Sequence, residues 1–452
     1  MSFEHPYLPQ TDQDEAAMLG AIGVKSVEAL FEPIPAALRL KKALDLPDHL
    51  TEMDLKDEFQ RLSGKNQSTG KLDQYLGGGL YEHYSPSLVR HLLNRSEFYT
   101  SYTPYQPEMT QGVLQAIFEY QSCVCSLTGM DVSNASLYEG GHALAEACLM
   151  ARAKTGRNKM VLSAGINPQH LQVLRTYTRN LDTEIVVAPL AADGRTDLAA
   201  LKALVDARTA AVALANPNFF GVIEDGAAFA EAAHAAGALF IAAVEPVGLA
   251  LLKSPGEMGA DIACGEGQSL GIPLAYGGPY LGFLAAKMAL VRQMPGRICG
   301  QTKDNRGQRA FVLTLQTREQ HIRREKANSN ICTNQTLLAL AATMYLGAVG
   351  PQGLKEVASQ GGAKAHYLAG ELSKINGVKL SYSGPWLNEF TLDLGREAAP
   401  VLKALQARGI LGGVPLMRWY PERQREILVA VTEVKKKAQL DKYAAVLKGV
   451  LA

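Results

Sequence analysis

From about residue 140 to 290, short apolar runs alternate with helical segments, and this alternation restricts the fold more than any other feature of the chain. HALAEACLMARAKTG, from His142, reads as a helix of small and apolar residues. KMVLSAG (159–165) is a short strand, NPQHLQVLRTYTRN an amphipathic helix, and EIVVAPL (184–190) a second strand. DLAALKALVDA is helical again. TAAVALANPN (209–218) is a buried strand ending in a turn, GAAFAEAAHAAGA an alanine-rich helix closed by Gly237, and LFIAAVE a further strand. Strands that stay apolar at every position are covered on both faces, and strands separated by helices pair in parallel. The expectation is an α/β domain, a mostly parallel sheet covered by helices.

The flanking segments have a different character. Residues 1–70 read as a polar, helical N-terminal arm, with Thr11 and Asp12 before Glu15 supplying helix-start chemistry. The large α/β domain is expected over 71–330. Residues 331–452 form a linking helix (about 333–375) and a small C-terminal α+β domain, with strands in VKLSYSGPWLNEFTLDL and EILVAVTE and helices in EAAPVLKALQARGI and at the end.

Charge and composition exclude some functions. A formal net charge of +1 gives no global field toward nucleic acid or acidic membranes. No uninterrupted apolar run has the length of a membrane span, and the first residues lack the charge and apolar core of a secretory signal. The six cysteines, Cys123, Cys125, Cys148, Cys264, Cys299 and Cys332, have no zinc spacing. The chain is expected to be a soluble, cytoplasmic protein with no bound metal.

Five segments carry chemistry-bearing side chains. YTSYTPYQPE (99–108) has neither helical nor strand period. Its phenols and hydroxyls suit a pocket or an interface, and equally a loop that plugs a core. In NASLYEGGHALAEA (134–147), Gly140, Gly141 and His142 stand where a helix begins. Free N–H groups there form a phosphate cradle, or only a tight turn. Asn216 in ANPNFFGVIED follows a buried strand, and Glu245 ends the next one, where ligand loops of parallel sheets gather. Glu245 is placed to meet a protonated ring nitrogen or an arginine. Arg318, His321, Arg323 and Arg324 crowd LQTREQHIRREKANSNICTNQ (315–335), foremost as an intersubunit seam.

The fifth is GEGQSLGIPLAYGGPYLGF (265–283), read as the end of a buried strand, a turn and a glycine-rich hairpin. An imine-forming lysine needs its amine at a fixed place in a pocket. The turn offers Gly267, Gln268 and Ser269 instead, and the nearest lysines, Lys253 and Lys287, lie well away from it.

Five long motifs carry a resemblance: SEFYTSYTPYQPEMTQG (96–112), NPNFFGVIED (216–225), GIPLAYGGPYLGF (271–283), MPGRICGQTKD (294–304) and LQTREQHIRREKANSNICTNQ (315–335). The chain resembles the glycine-cleavage P-protein family, more narrowly subunit 1 of its split, two-subunit form, from about residue 3 to the end. The resemblance implies the type I pyridoxal-phosphate (aminotransferase-like) fold. It implies oxidative decarboxylation of glycine, with release of CO2 and transfer of the aminomethyl group to the lipoyl arm of H-protein. In the cofactor-binding subunit 2 a lysine sits in a His-Lys-Thr turn before the hairpin. Matching the hairpins puts Gln268 in that slot, so the resemblance implies that pyridoxal phosphate is held covalently by subunit 2 within an α2β2 heterotetramer, and that this chain is inactive alone.

On the same grounds Gly140, Gly141, His142, Asn216, Glu245 and Gln268 are relics of a cofactor pocket. Thr100, Tyr102, Thr103, Tyr105, Gln106 and Glu108 are expected to line a site shared with subunit 2, and Arg318, His321, Arg323 and Arg324 an interface. Two other readings stay open: a structural scaffold for subunit 2, and a self-sufficient pyridoxal-phosphate enzyme that uses a lysine from elsewhere.

Overall fold

The computed structural model describes Tyr7 and residues 9–42, 44–328 and 331–452. It divides into two units, Met1–Gln67 and Ser68–Ala452. In the first, helix α1 (Asp12–Ile22) starts at a reciprocal cap, with the Thr11 hydroxyl accepting from the Asp14 amide and Asp14 accepting from the Thr11 amide. The cap partner is thus Asp14 rather than Glu15. Gly23, at φ 84°, ends the helix. Helix α2 (Glu52–Ser63) is capped by Thr51.

The second unit is built on a seven-stranded sheet. Its strands are β1 (Val132–Ser133), β2 (Lys159–Ser163), β3 (Glu184–Ala188), β4 (Thr209–Asn216), β5 (Leu239–Val244), β6 (Ile262–Glu266) and β7 (Gly282–Ala286), in the order β1-β7-β6-β5-β4-β2-β3. Strands β2 to β6 run parallel, while β7 returns antiparallel to β6, pairing Gly282 with Glu266. The strand–turn–strand expected from GEGQSLGIPLAYGGPYLGF is β6 and β7.

Side chains of successive strand residues point to opposite faces, and the core divides accordingly. Val161, Val212, Leu214, Phe240 and Ala242 belong to one apolar cluster, with Phe229 of helix α4 (Gly226–Ala235). Met160, Leu162, Ala211, Ala213 and Ile241 belong to the other, with the small residues of helix α3 (Gly140–Thr155). Alanines on α3 and α4 let both helices lie close to the sheet.

Helix α5 (Thr336–Leu372) leads into the small domain. By length and composition alone it is long and apolar enough to cross a membrane, with a window of mean hydropathy 1.3. Gly350, at φ 63° and ψ −178°, breaks it just before Pro351, and buried residues on both halves, Ala342 and Tyr345 then Ala365 and Leu368, tie it to the core. The small domain has a four-stranded antiparallel sheet centred on Glu389–Asp393 and Glu426–Ala430. The helices Ala398–Gln406 and Lys437–Leu451 cover it.

Candidate functional site

A cavity of about 70 Å3 lies at the carboxyl ends of β4, β5 and β6, where parallel sheets bind ligands. Three carboxylates line it: Glu245, Glu266 and Glu389. Glu245 directly follows β5, and the structure commits it. It accepts from the Ser269 hydroxyl at 2.6 Å and from the amides of Val247 and Gly248 at 3.1 and 2.6 Å. Neither an arginine nor a ring nitrogen is needed to satisfy it.

Gln268 is buried and fully engaged. Its carbonyl accepts from the Tyr81 amide at 2.9 Å, and its amide donates to the carbonyls of Tyr81 and Ile272 at 3.0 and 2.7 Å. The residue in the expected lysine slot is a clamp on the chain that passes over the cavity.

Gly140 and Gly141 do open α3, a helix of 16 residues, but the anion seat is already taken. The Gly140 amide donates to Glu266 at 2.9 Å. The amides of Gly141 and His142 donate to Glu139, each at 2.6 Å. A Cβ on Gly140 would meet Glu266 at 2.9 Å and the His170 ring at 3.0 Å, so the glycine makes room for these side chains. His142 points elsewhere: its ring stacks on Tyr138 at 4.6 Å and its Nε2 lies 3.3 Å from Glu146. Asn216 also turns from the cavity, accepting from the Glu224 amide at 3.1 Å.

Burial pushes the Glu266 carboxyl up to about 7, although the amides of Leu281, Gly140 and Gln268 favour its charged form. Burial likewise pushes Glu389 up to about 7, against hydrogen bonds from the Gly78 amide and the Tyr81 hydroxyl. Tyr81 is itself raised well above the ordinary phenol value, by burial first and then by Glu389. His170 is lowered by burial. The sequence reading missed Glu266, Glu389, Tyr81 and His170.

The second region brings two predicted segments together. Thr103 lies 3.2 Å from Thr333, hydroxyl to hydroxyl, and Tyr105 and His321 line one pocket. Of the seven tyrosines between 75 and 120, Tyr75, Tyr81 and Tyr120 are buried, whereas Tyr84, Tyr99, Tyr102 and Tyr105 are 65 to 66% exposed. Thr100, Gln106 and Glu108 are exposed on the same irregular loop, with the Thr100 hydroxyl donating to the Ser96 carbonyl. His321, Arg323 and Arg324 are also exposed. Arg318, expected on a seam, is 4% exposed and donates to the carbonyls of Met294, Gly296 and Leu315. It is an internal tie and not a surface group.

Residues 5–447 match the family model described as "Glycine cleavage system P-protein". The chain belongs to the glycine cleavage system P-protein family. It is 52% identical over 446 residues to the probable glycine dehydrogenase (decarboxylating) subunit 1 of Moorella thermoacetica, covering 99% of this chain and 100% of that one. A crystal structure of glycine decarboxylase (P-protein) of the glycine cleavage system, in inhibitor-bound form, superposes with a TM-score of 0.90 at 45% identity, covering 99% of this chain and 100% of that chain. Glutamate decarboxylase of Lactobacillus brevis, at 12% identity and a TM-score of 0.69 over 92% of this chain and 96% of that one, shares the fold alone. The fold is that of type I pyridoxal-phosphate enzymes, and the chain is of the subunit-1 type of a P-protein, so a partner subunit is implied.

Pyridoxal phosphate is the cofactor the family implies, and the cavity at the sheet does not fit it. The space is far below the roughly 300–1,000 Å3 of ordinary ligand pockets. No lysine lines it among the described residues. The amides that would receive a phosphate already hold Glu139 and Glu266, and two further carboxylates face the same space. Lys287 follows β7 at the opposite end of the sheet, beyond the Ala286–Ile262 pair, and its amine is held by Asp261 at 2.7 Å.

Proposed function

We propose that this chain is the half of a two-subunit P-protein that completes the glycine site without holding the cofactor. The observation that carries the reading is Gln268: in the slot where subunit 2 would carry its lysine, this chain has a buried amide bound on both sides to the Tyr81 backbone. Subunit 2 then holds pyridoxal phosphate, which when bound supplies the electron sink for decarboxylation. Glycine loses CO2, and the aminomethyl group passes to the lipoyl arm of H-protein. The chain alone is inactive, and the working assembly is an α2β2 heterotetramer.

The contribution of this chain is the exposed loop bearing Thr100, Tyr102, Thr103, Tyr105, Gln106 and Glu108, with the neighbouring segment at His321, Arg323 and Arg324. Rigid aromatic rings with polar tips suit a site formed between two subunits, and Thr103 ties that loop to Thr333. A scaffold role without chemistry predicts the same assembly but indifference to these side chains. The test is glycine-dependent CO2 release in the presence of lipoylated H-protein, with each subunit alone and with both. Activity only with both supports the proposal, and activity of this chain alone refutes it.

A further inference from the structure

Strands Ile298–Lys303 and Arg309–Thr314 form an antiparallel hairpin apart from the main sheet. Its base is fixed to the helix Gln111–Thr128 by two side-chain amides. Gln121 donates to the Cys299 carbonyl and accepts from the Cys299 amide, both at 2.9 Å. Gln111 does the same with Phe311, at 2.9 and 2.8 Å. Cys299 and Phe311 are buried there with Leu114 and Ile117. Toward the tip, every residue from 301 to 309 is exposed. Lys303 and Arg309 stand directly opposite each other in the strand register, and Arg306 lies in the turn between them. None of the three forms an ion pair among the described residues. Asp304, the only carboxylate from Ile298 to Gln316, turns its Oδ1 to the amides of Arg306 and Gln308, each at 2.8 Å.

Like charges directly opposite each other destabilise a strand pair, and a lone two-stranded hairpin is marginal to begin with. Three unpaired cations at the tip of a firmly held projection call for an anionic surface outside this chain. The other face of the hairpin adds an apolar contact. Val312 is 41% exposed, and Gly300 opposite it has no side chain to cover it. A small apolar patch beside charged groups has the make-up of a protein interface rather than of an ion site. Leu313, at the base, lines the same pocket as Tyr105 and His321, so the hairpin is continuous with the surface assigned above to the shared site. We propose that this hairpin docks on a carboxylate-bearing face of the partner subunit, with Lys303, Arg306 and Arg309 pairing to acidic side chains there and Val312 packing on an apolar one. The proposal rests on the reading that this chain works as one half of a two-subunit enzyme.

The test measures the dissociation constant of the two subunits by sedimentation at low and at high salt, with urea unfolding of this chain alone as the control. Lys303→Glu turns a like-charge pair into an ion pair with Arg309, so the chain alone should unfold at an equal or higher urea midpoint. The same change should raise the dissociation constant for the partner subunit by about tenfold or more, and should reduce its rise with salt. Arg306→Glu, in the turn, should weaken assembly likewise and leave the midpoint unchanged. Unchanged assembly and salt dependence in both variants would overturn the proposal while leaving the two-subunit reading intact. Unchanged assembly with a raised KM for lipoylated H-protein would also overturn it, assigning the hairpin to that substrate. Failure of the unaltered chain to associate with the partner subunit would instead defeat the functional reading beneath it.

Discussion

The side-chain amide of Gln268 pairs with the backbone of Tyr81 in both directions, accepting from its N–H at 2.9 Å and donating to its C=O at 3.0 Å. Residues 187 positions apart are thereby locked together over the carboxyl ends of the sheet. On the proposed match of the hairpins, this is the slot in which subunit 2 carries its lysine. Here the position is structural, and its substitution has structural consequences.

Gln268→Ala strands the Tyr81 amide and the carbonyls of Tyr81 and Ile272 in a buried setting. A loss of about 2–3 kcal/mol is expected from groups left unpaired, read as a lower urea midpoint. Gln268→Lys keeps donors for the two carbonyls but leaves the Tyr81 amide without an acceptor. It should also be destabilised, and it should show no aldimine absorbance with added pyridoxal phosphate, because Glu139 and Glu266 still occupy the helix amides.

The same carboxylates give stability a pH dependence. Burial raises Glu266 and Glu389 to about 7, above the ordinary value of 4.5. An acid that binds its proton more tightly when folded adds stability at low pH, and loses that contribution as pH rises through its folded value. This part of the stability should therefore fall between about pH 4.5 and 7. Glu389→Gln, which cannot ionise, should flatten part of that slope and gain up to about 3 kcal/mol relative to the parent at pH 8. Urea unfolding of both proteins from pH 5 to pH 8 checks it, and equal slopes would count against the assignment.

If Glu266 is the built-in occupant of the helix amides, removing it should return an anion seat. Glu266→Ala is expected to gain thermal stability from inorganic phosphate over chloride at matched ionic strength, since α3 then offers a free N–H at its positive end. The parent chain should show no such difference. A melting curve indifferent to phosphate in both would mean that another group fills the seat.

The exposed tyrosines make a separate prediction. Tyr102→Phe with Tyr105→Phe should leave the fold of this chain unchanged, because both rings are exposed. In the assembled complex the pair should lower glycine decarboxylation by about tenfold or more, the usual scale for losing positioned polar groups. Unchanged kcat and KM would favour a scaffold role.

Features set by local pattern were legible in the sequence. The alternation of apolar runs and helices gave the parallel sheet, and the lysine-free turn could be placed because Gly267, Gln268 and Ser269 are contiguous. Features set by closure of the fold were not. The cavity takes Tyr81, His170 and Glu389 from three distant segments, and nothing local to any of them signals the meeting. Glutamate is an uncommon helix cap, so nothing local marks Glu139, yet it holds two amides of α3. Arg318 stands among charged neighbours, a pattern that suits an intersubunit seam, whereas three backbone carbonyls draw it inside. Asn216 sits at a strand end, as ligand residues do, but the Glu224 amide claims its side chain.

If this chain shapes the glycine site while its partner holds the cofactor, only the partner carries the imine-forming lysine. Borohydride reduction of the assembled complex with pyridoxal phosphate, followed by intact-mass measurement of each subunit, tests it most directly. A pyridoxyl adduct is expected on the partner subunit and none on this chain. A stoichiometric adduct on a lysine of this chain, Lys253 and Lys287 included, would contradict it.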